Sequence, residues 1–300
     1  MHTAVEREQA VEREKRGCAM QELELVPYLL YEKEDNGIVW IRFNRPEKLN
    51  ACIGAAERKG TLAKVGEYMR AADDDPEIRF IVLTGVGRGF CAGVDVSGVE
   101  NFERGDHFLG NRPNEGLDAV RESFYYGVTK LIKDLSYIRK PTIAMMNGVA
   151  AGFGMDMALQ CDIRYGCENT RFIAYHQVGQ IIENGGAYYL PKLAGLGRAL
   201  EFAFTGHLDA QRAYEWGILN ALVPSDQLED EVRALCARMM KVAPMTQWIN
   251  KRVMRHAVDS NLETTAVLTS NAALILQSSE DANEARAALR ERRDPVFRAR

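Results

Sequence analysis

No apolar run in this 300-residue sequence approaches the roughly 18 consecutive residues that a membrane-spanning helix needs. The first twenty residues are dense in Glu and Arg where a signal peptide would need an apolar segment. Six cysteines stand at 18, 52, 91, 161, 167 and 236 with no C-x-x-C pair among them. That spacing argues against metal and disulfide roles and for reduced, mostly buried thiols in a cytoplasmic protein. An excess of positive charge is also missing, since 38 Lys and Arg against 42 Asp and Glu leave a net charge of −4. Composition therefore offers no basis for binding nucleic acid.

What is there is enough apolar material, 46% of residues, to bury a large core. The chain is organised around Asn147 to Tyr165, N-G-V-A-A-G-F-G-M-D-M-A-L-Q-C-D-I-R-Y. An apolar run, Pro141 to Met146, feeds a turn of small residues that opens into a helix. Such a turn presents unpaired N–H groups to an incoming acceptor. Phosphate is one such acceptor, but neither a P-loop Lys-Ser/Thr nor a G-x-G-x-x-G is present here. The other is a carbonyl oxygen about to become negative, for which the turn would be half of an oxyanion hole. Close helix–sheet packing through glycine explains the same residues equally well. A second turn of this kind, Phe90-Cys91-Ala92-Gly93-Val94-Asp95, follows the strand-like run Ile78 to Thr84.

Along the chain, residues 1–24 read as a charged extension, either a solvated helix or a disordered segment. Leu29–Glu34 and Ile38–Asn44 flank Asp35-Asn36-Gly37, a hairpin signal. Helix-compatible residues run to about Ala72, and Gly98 to Gly116 is a long loop without a period. Leu117 to Ile138 reads as an amphipathic helix. Strand–turn–helix units repeated in this way imply an α/β core with parallel strands. From Ala194 onward the chain is almost wholly helical, with a short strand near Leu219 to Val223 and Asp209 as a helix N-cap. Met239, Met240, Met245 and Met254 are expected in the core. This divides the chain into the extension, a core over 25–205 and a helical region over 206–300.

The paired turns, with N-R-P-E-K-L-N-A, C-D-I-R-Y, L-P-K-L-A-G and S-E-D-A-N-E-A-R, resemble the crotonase (enoyl-CoA hydratase/isomerase) superfamily from about Leu25 to Arg300. The resemblance implies a β-β-α superhelix of repeated units whose C-terminal helices build a trimer or a dimer of trimers. It implies an acyl-CoA thioester substrate, with coenzyme A as part of the substrate and no separate cofactor or metal. Lys48, Leu49 and Ala51 would line the CoA pocket, with Ala92, Gly93, Asp95, Gly152 and Tyr175 also at the substrate. The oxyanion donors would be the backbone amides of Val94 and Phe153, where most relatives have glycine at the second position. Arg286, Arg290, Arg292 and Arg293 are candidates to approach the CoA phosphates of a neighbouring subunit.

Proton transfer needs a carboxylate or imidazole in a dry pocket. Asp156 stands where hydratases carry their first catalytic Glu, and could hold a water, take a proton or cap the helix. The second hydratase Glu falls on His176 counting from Phe172, or on Tyr175 counting back from Gly179. Neither reproduces the hydratase pair. Glu183 falls where enoyl-CoA and dienoyl-CoA isomerases place their base and a 4-chlorobenzoyl-CoA dehalogenase its nucleophile. Its other reading is a carboxylate at a helix start. Ile181 and Ile182 before it are expected to keep it dry. Isomerisation is thus favoured over hydration, then dehalogenation or C–C hydrolysis, then acyl-CoA binding without strong catalysis.

Overall fold

A computed structural model describes residues 23–54, 60–95, 121, 125, 129–174 and 181–299. Strands β1 (Leu29–Lys33) and β2 (Ile38–Phe43) form the expected hairpin across Asp35-Asn36-Gly37, antiparallel from Leu29 opposite Phe43 to Lys33 opposite Val39. Gly37 takes φ +80, the left-handed conformation the turn requires. Helix α1 (Thr61–Asp74) leads to β3 (Phe80–Gly85) and the short β4 (Gly89–Cys91). Helix α2 (Lys130–Tyr137) is the described part of the amphipathic helix expected from Leu117. Then come β5 (Thr142–Met146), β6 (Val149–Ala151) and α3 (Phe153–Gln160), and after them β7 (Ile163–Gly166), β8 (Arg171–Ile173) and α4 (Gly186–Ala194).

The units β5-β6-α3 and β7-β8-α4 each send one strand into one sheet and a short strand into another before turning into a helix, which is the β-β-α repetition. Strands β3 and β4 divide between the two sheets in the same way. The larger sheet runs β1-β2-β3-β5-β7-β10, where β10 is Ala221–Leu222. It is parallel except at the β1–β2 hairpin. The smaller sheet runs β4-β6-β8-β9, with β9 (His207–Asp209) antiparallel to β8. Alternation along the central strands divides the interior in two. Val39, Ile41, Ile81 and Leu83 face one core, together with Leu62 and Val65 of α1 and Met155 and Leu159 of α3. Ile38, Trp40, Phe80 and Val82 face the other, covered by Leu228, Val232 and Cys236 of α7 (Leu228–Met239). A sheet buried on both faces explains why these strands read as continuous apolar runs.

The rest is α5 (Leu196–Thr205), α6 (Ala210–Glu215), α8 (Pro244–Ala257), α9 (Leu262–Gln277) and α10 (Glu280–Glu291). Asp209 caps α6 as expected, accepting a 2.9 Å bond from the Arg212 amide. The methionines need correction. Met239 packs at the edge of the second core, but Met254 is 66% exposed and Met240 also faces outward, because α8 and the end of α7 turn those positions away from the sheet. Helix α9 buries no residue, although Leu262, Val267, Leu274 and Ile275 lie on it. No helix of the described residues is long and apolar enough to cross a membrane.

Candidate active site

The first turn is built by close backbone approach. A Cβ on Gly85 would sit 2.2 Å from the Gly89 carbonyl oxygen, so only glycine lets β3 double back into β4. Two side-chain amides, that of buried Asn50 and that of partly buried Asn147, pin that reversal. Asn50, at φ +62, donates from Nδ2 to the carbonyls of Gly89 (2.7 Å) and Val86 (3.0 Å). Asn147 donates to those of Gly85 (2.9 Å), Gly87 (2.7 Å) and Gly89 (3.1 Å).

Beyond β4, Cys52 donates its amide to the Gly93 carbonyl (2.6 Å) and accepts from the Asp95 amide (3.1 Å). This parallel bridge leaves the Val94 N–H pointing away from Cys52. The expected CoA segment lies against the same turn. Ala92 donates to the Leu49 carbonyl (3.0 Å), and Arg45 joins the Ala51 carbonyl (2.8 Å) to the Asp95 carboxylate (3.0 Å).

The second turn meets the first at α3. Gly152 takes φ +48, and Phe153 is the first residue of the helix, so no intrahelical carbonyl can receive its N–H. The Phe153 ring is buried in the first core. Gly154 follows, and a Cβ there would lie 2.1 Å from the Cys91 carbonyl oxygen. The mouth of α3 is thus pressed against the end of β4.

The packing of α3 against α4 places Asp156 and Glu183 within electrostatic reach of each other. Asp156 is 1% exposed, and its Oδ1 has no hydrogen-bond partner among the described residues. Burial, and then the charge of Glu183, push its pKa well above the usual carboxylate range. Glu183 sits in the turn before α4, half-buried, and burial raises its pKa too. Asn184 at φ +49 and Gly185 at φ +96 carry the chain round, closed by Gly186 N–H to the Glu183 carbonyl (3.0 Å). Gly186 has to be small, since its Cβ would fall 2.0 Å from Asp156 Oδ1. The expectation about the isoleucines needs correcting. Ile181 is 77% exposed, and only Ile182 packs inward; the packing of α3 against α4 dries the pair. Tyr175 and His176 lie outside the described residues. No three His, Cys, Asp or Glu side chains gather as a metal site among the described residues.

The family model for enoyl-CoA hydratase/isomerase matches residues 33–300. The chain belongs to the enoyl-CoA hydratase/isomerase family. Its curated relatives include 1,2-epoxyphenylacetyl-CoA isomerase of Escherichia coli (strain K12), 31% identical over 88% of this chain and 95% of that protein. They also include crotonyl-CoA hydratase of Syntrophomonas wolfei, 26% identical over 90% of this chain and 97% of that protein. An enoyl-CoA hydratase subunit from Geobacillus kaustophilus superposes with a TM-score of 0.77 at 28% identity, covering 91% of this chain and 98% of the other. The two sheets and their β-β-α units are accordingly a crotonase-like fold, in an acyl-CoA enzyme.

Two further contributors lie within the motif-bearing stretch but did not stand out in it as site residues. Arg164 is buried in the C-D-I-R-Y stretch and donates to the carbonyls of Cys161 (2.6 Å) and Ile218 (2.7 Å), closing the C-terminal end of α3. Gln160, in the last turn of α3, is 1% exposed and reaches the Glu183 turn.

Proposed function

We propose that the protein isomerises the double bond of an enoyl- or dienoyl-CoA, with Glu183 as principal base and Asp156 as its acid partner. The observation that carries this reading is two carboxyls within electrostatic reach of each other in unequal surroundings, Asp156 fully enclosed and Glu183 half-buried. Environments that push two carboxyls apart assign their roles. The enclosed Asp156 holds its proton, and Glu183, with more access to solvent, ionises first. Once ionised, Glu183 places a negative charge near Asp156 and stabilises its neutral form further.

In this mechanism the Glu183 carboxylate takes a proton from the carbon next to the thioester carbonyl. The electron pair moves into the carbonyl, and the resulting oxyanion accepts hydrogen bonds from the Val94 and Phe153 amides. The same proton, or that of Asp156, is returned two carbons away, so the double bond shifts and no atom is gained or lost. Coenzyme A enters as part of the substrate along Lys48, Leu49 and Ala51, and this proton shuttle calls on no redox group. The apolar outer face of α9 supports self-association as a trimer or hexamer, checked by light scattering at micromolar concentration.

Hydration is the second reading, favoured by the position of Asp156 and by the crotonyl-CoA hydratase relative. Incubating the protein in deuterated water with a 3-enoyl-CoA and a 2-enoyl-CoA separates the two. Isomerisation interconverts the 3-enoyl- and 2-enoyl-CoA without net hydration, with carbon-bound deuterium wherever the returned proton has exchanged with solvent, and a hydratase gives the 3-hydroxyacyl product. Glu183→Gln keeps shape and removes the base, so kcat should fall about 10²–10⁴-fold. Near-normal isomerisation by Glu183→Gln, with activity abolished by Asp156→Asn, would mean the base has been assigned to the wrong carboxylate.

A further inference from the structure

The turn that carries Glu183 is fastened to α3 by one side chain. Gln160 donates from Nε2 to the Asn184 carbonyl at 2.8 Å and to the Asp156 carbonyl at 3.3 Å. Its Cδ lies 3.2 Å from where a Cβ on Gly185 would be, so glycine leaves the room it occupies. Phe153, Asp156 and Gln160 follow at helical spacing and share one face of α3. One face of a two-turn helix therefore bears the oxyanion amide, the buried acid and the link to the base.

This small region carries several unfavourable features. Asp156 Oδ1, Gln160 Oε1 and both side-chain polar atoms of Asn184 are buried without hydrogen-bond partners among the described residues. Asn184 also adopts a left-handed backbone, uncommon for a residue other than glycine. Unpaired buried polar groups and strained dihedrals are destabilising and concentrate where a fold holds a functional geometry.

We propose that Gln160 is a positioning residue, tying the Asn184 carbonyl to α3 and so fixing Glu183 relative to Asp156 and the Phe153 amide. The chemistry of the contact selects glutamine. Met fills the same volume but cannot donate, and Asn ends one methylene short. The proposal rests on the reading of Glu183 as base, and its test separates the two.

The experiment is a double-mutant cycle of Gln160→Met and Glu183→Gln in the full chain, followed by kcat and KM for 3-enoyl-CoA isomerisation. Misplacing a reacting group by about 1 Å costs up to roughly 10²-fold. Gln160→Met should therefore lower kcat about 10–10²-fold and leave KM nearly unchanged, because the CoA segment lies on the other turn. If Gln160 acts through Glu183, the double variant is no slower than Glu183→Gln alone. A double variant that loses the full product of the two single effects overturns the proposal, as does an unchanged kcat in Gln160→Met. If Glu183→Gln keeps full activity, the base assignment fails. Amide hydrogen exchange of residues 183–186 then tests the fastening by itself. Exchange should quicken in Gln160→Met, and an unchanged rate refutes the fastening. Should Gln160→Met not fold, Gln160→Asn enters the same cycle.

Discussion

Adding a single methyl group at Gly154 should do far more damage than at Gly197, although both are the second residue of a helix. Alanine is preferred to glycine in helices by about 1 kcal/mol, and that preference is common to the two sites. At Gly197 nothing from beyond its own stretch of helix, among the described residues, lies within 4 Å of the new Cβ, so the preference is realised as a gain of about 0.4–1 kcal/mol. At Gly154 the new Cβ meets the Cys91 carbonyl oxygen at 2.1 Å and the Cys91 carbonyl carbon at 2.8 Å. Carbon–oxygen contacts settle near 3.3–3.6 Å, so α3 and β4 must separate by more than about 1 Å. Neither partner yields cheaply. β4 is paired to β6 and its Gly89 carbonyl is held by Asn50 and Asn147. Overpacking of this kind costs about 1–3 kcal/mol, which outweighs the helix preference. The gap opens between the two amides proposed to share the oxyanion, so kcat should fall about 10²-fold beyond any loss of folded protein. Urea midpoints and kcat of the two alanine variants, measured side by side, provide the assay. Equal midpoints and equal kcat would show that β4 and α3 are not in the tight contact described.

Asp156→Asn should be more stable than the parent at pH 7, with an advantage that shrinks as the pH falls towards about 4. The folded carboxyl is raised by burial, so the unfolded chain ionises first and the parent loses stability as pH rises, whereas asparagine does not titrate. Denaturation midpoints across that range that run parallel for the two proteins would contradict the buried acid. Arg164→Met should lower the urea midpoint by an amount equivalent to several kcal/mol, at about 1–3 for each buried carbonyl left unpaired. A midpoint within error of the parent would mean that those carbonyls find other partners.

How much of this was legible in the sequence depended on the length of each signal. The Asp35-Asn36-Gly37 hairpin, the apolar β3 and β5 and the Asp209 cap each rest on local chemistry that a short window contains. Strands β4, β6, β8 and β9 are three residues each, too short for a period to appear, and they exist because the long strands beside them fix where they lie. At the site, Asp156 and Glu183 could be singled out as acids, but the source of their dryness could not. Ile181 and Ile182 are adjacent in sequence, yet only one side chain of two neighbours can turn inward where the chain enters α4. Gln160 and Arg164 lie inside the organising stretch but did not stand out as site residues, because a polar residue in a helix or a short strand reads as solvent-facing until tertiary contacts are known. Asn50 and Asn147 stand inside sequence motifs, but their bonds to carbonyls about 40 and 60 residues away belong to the tertiary fold alone.

Helix α3 concentrates the argument about function. Eight residues are too few to hold a helix in water, so its order comes from what grips it. At the front, Gly152 donates its amide to the Ile173 carbonyl of β8, and Gly154 lies flat against Cys91. At the rear, the Arg164 guanidinium gathers the Cys161 carbonyl and that of Ile218, far along the chain. Behind Arg164, Asp162 is held by Lys251 and Arg255 of α8, each at 2.7 Å, and these cations keep its carboxyl ionised below the usual range. The C-terminal helices therefore reach the proposed site without touching a reacting atom, through the salt bridges that secure the end of α3. A helix clamped at both ends can carry an acid whose Oδ1 has no partner among the described residues, since its backbone is held by contacts that do not depend on that oxygen. The rigidity that the proposed oxyanion amide needs and the burial that raises the Asp156 pKa thus have the same origin.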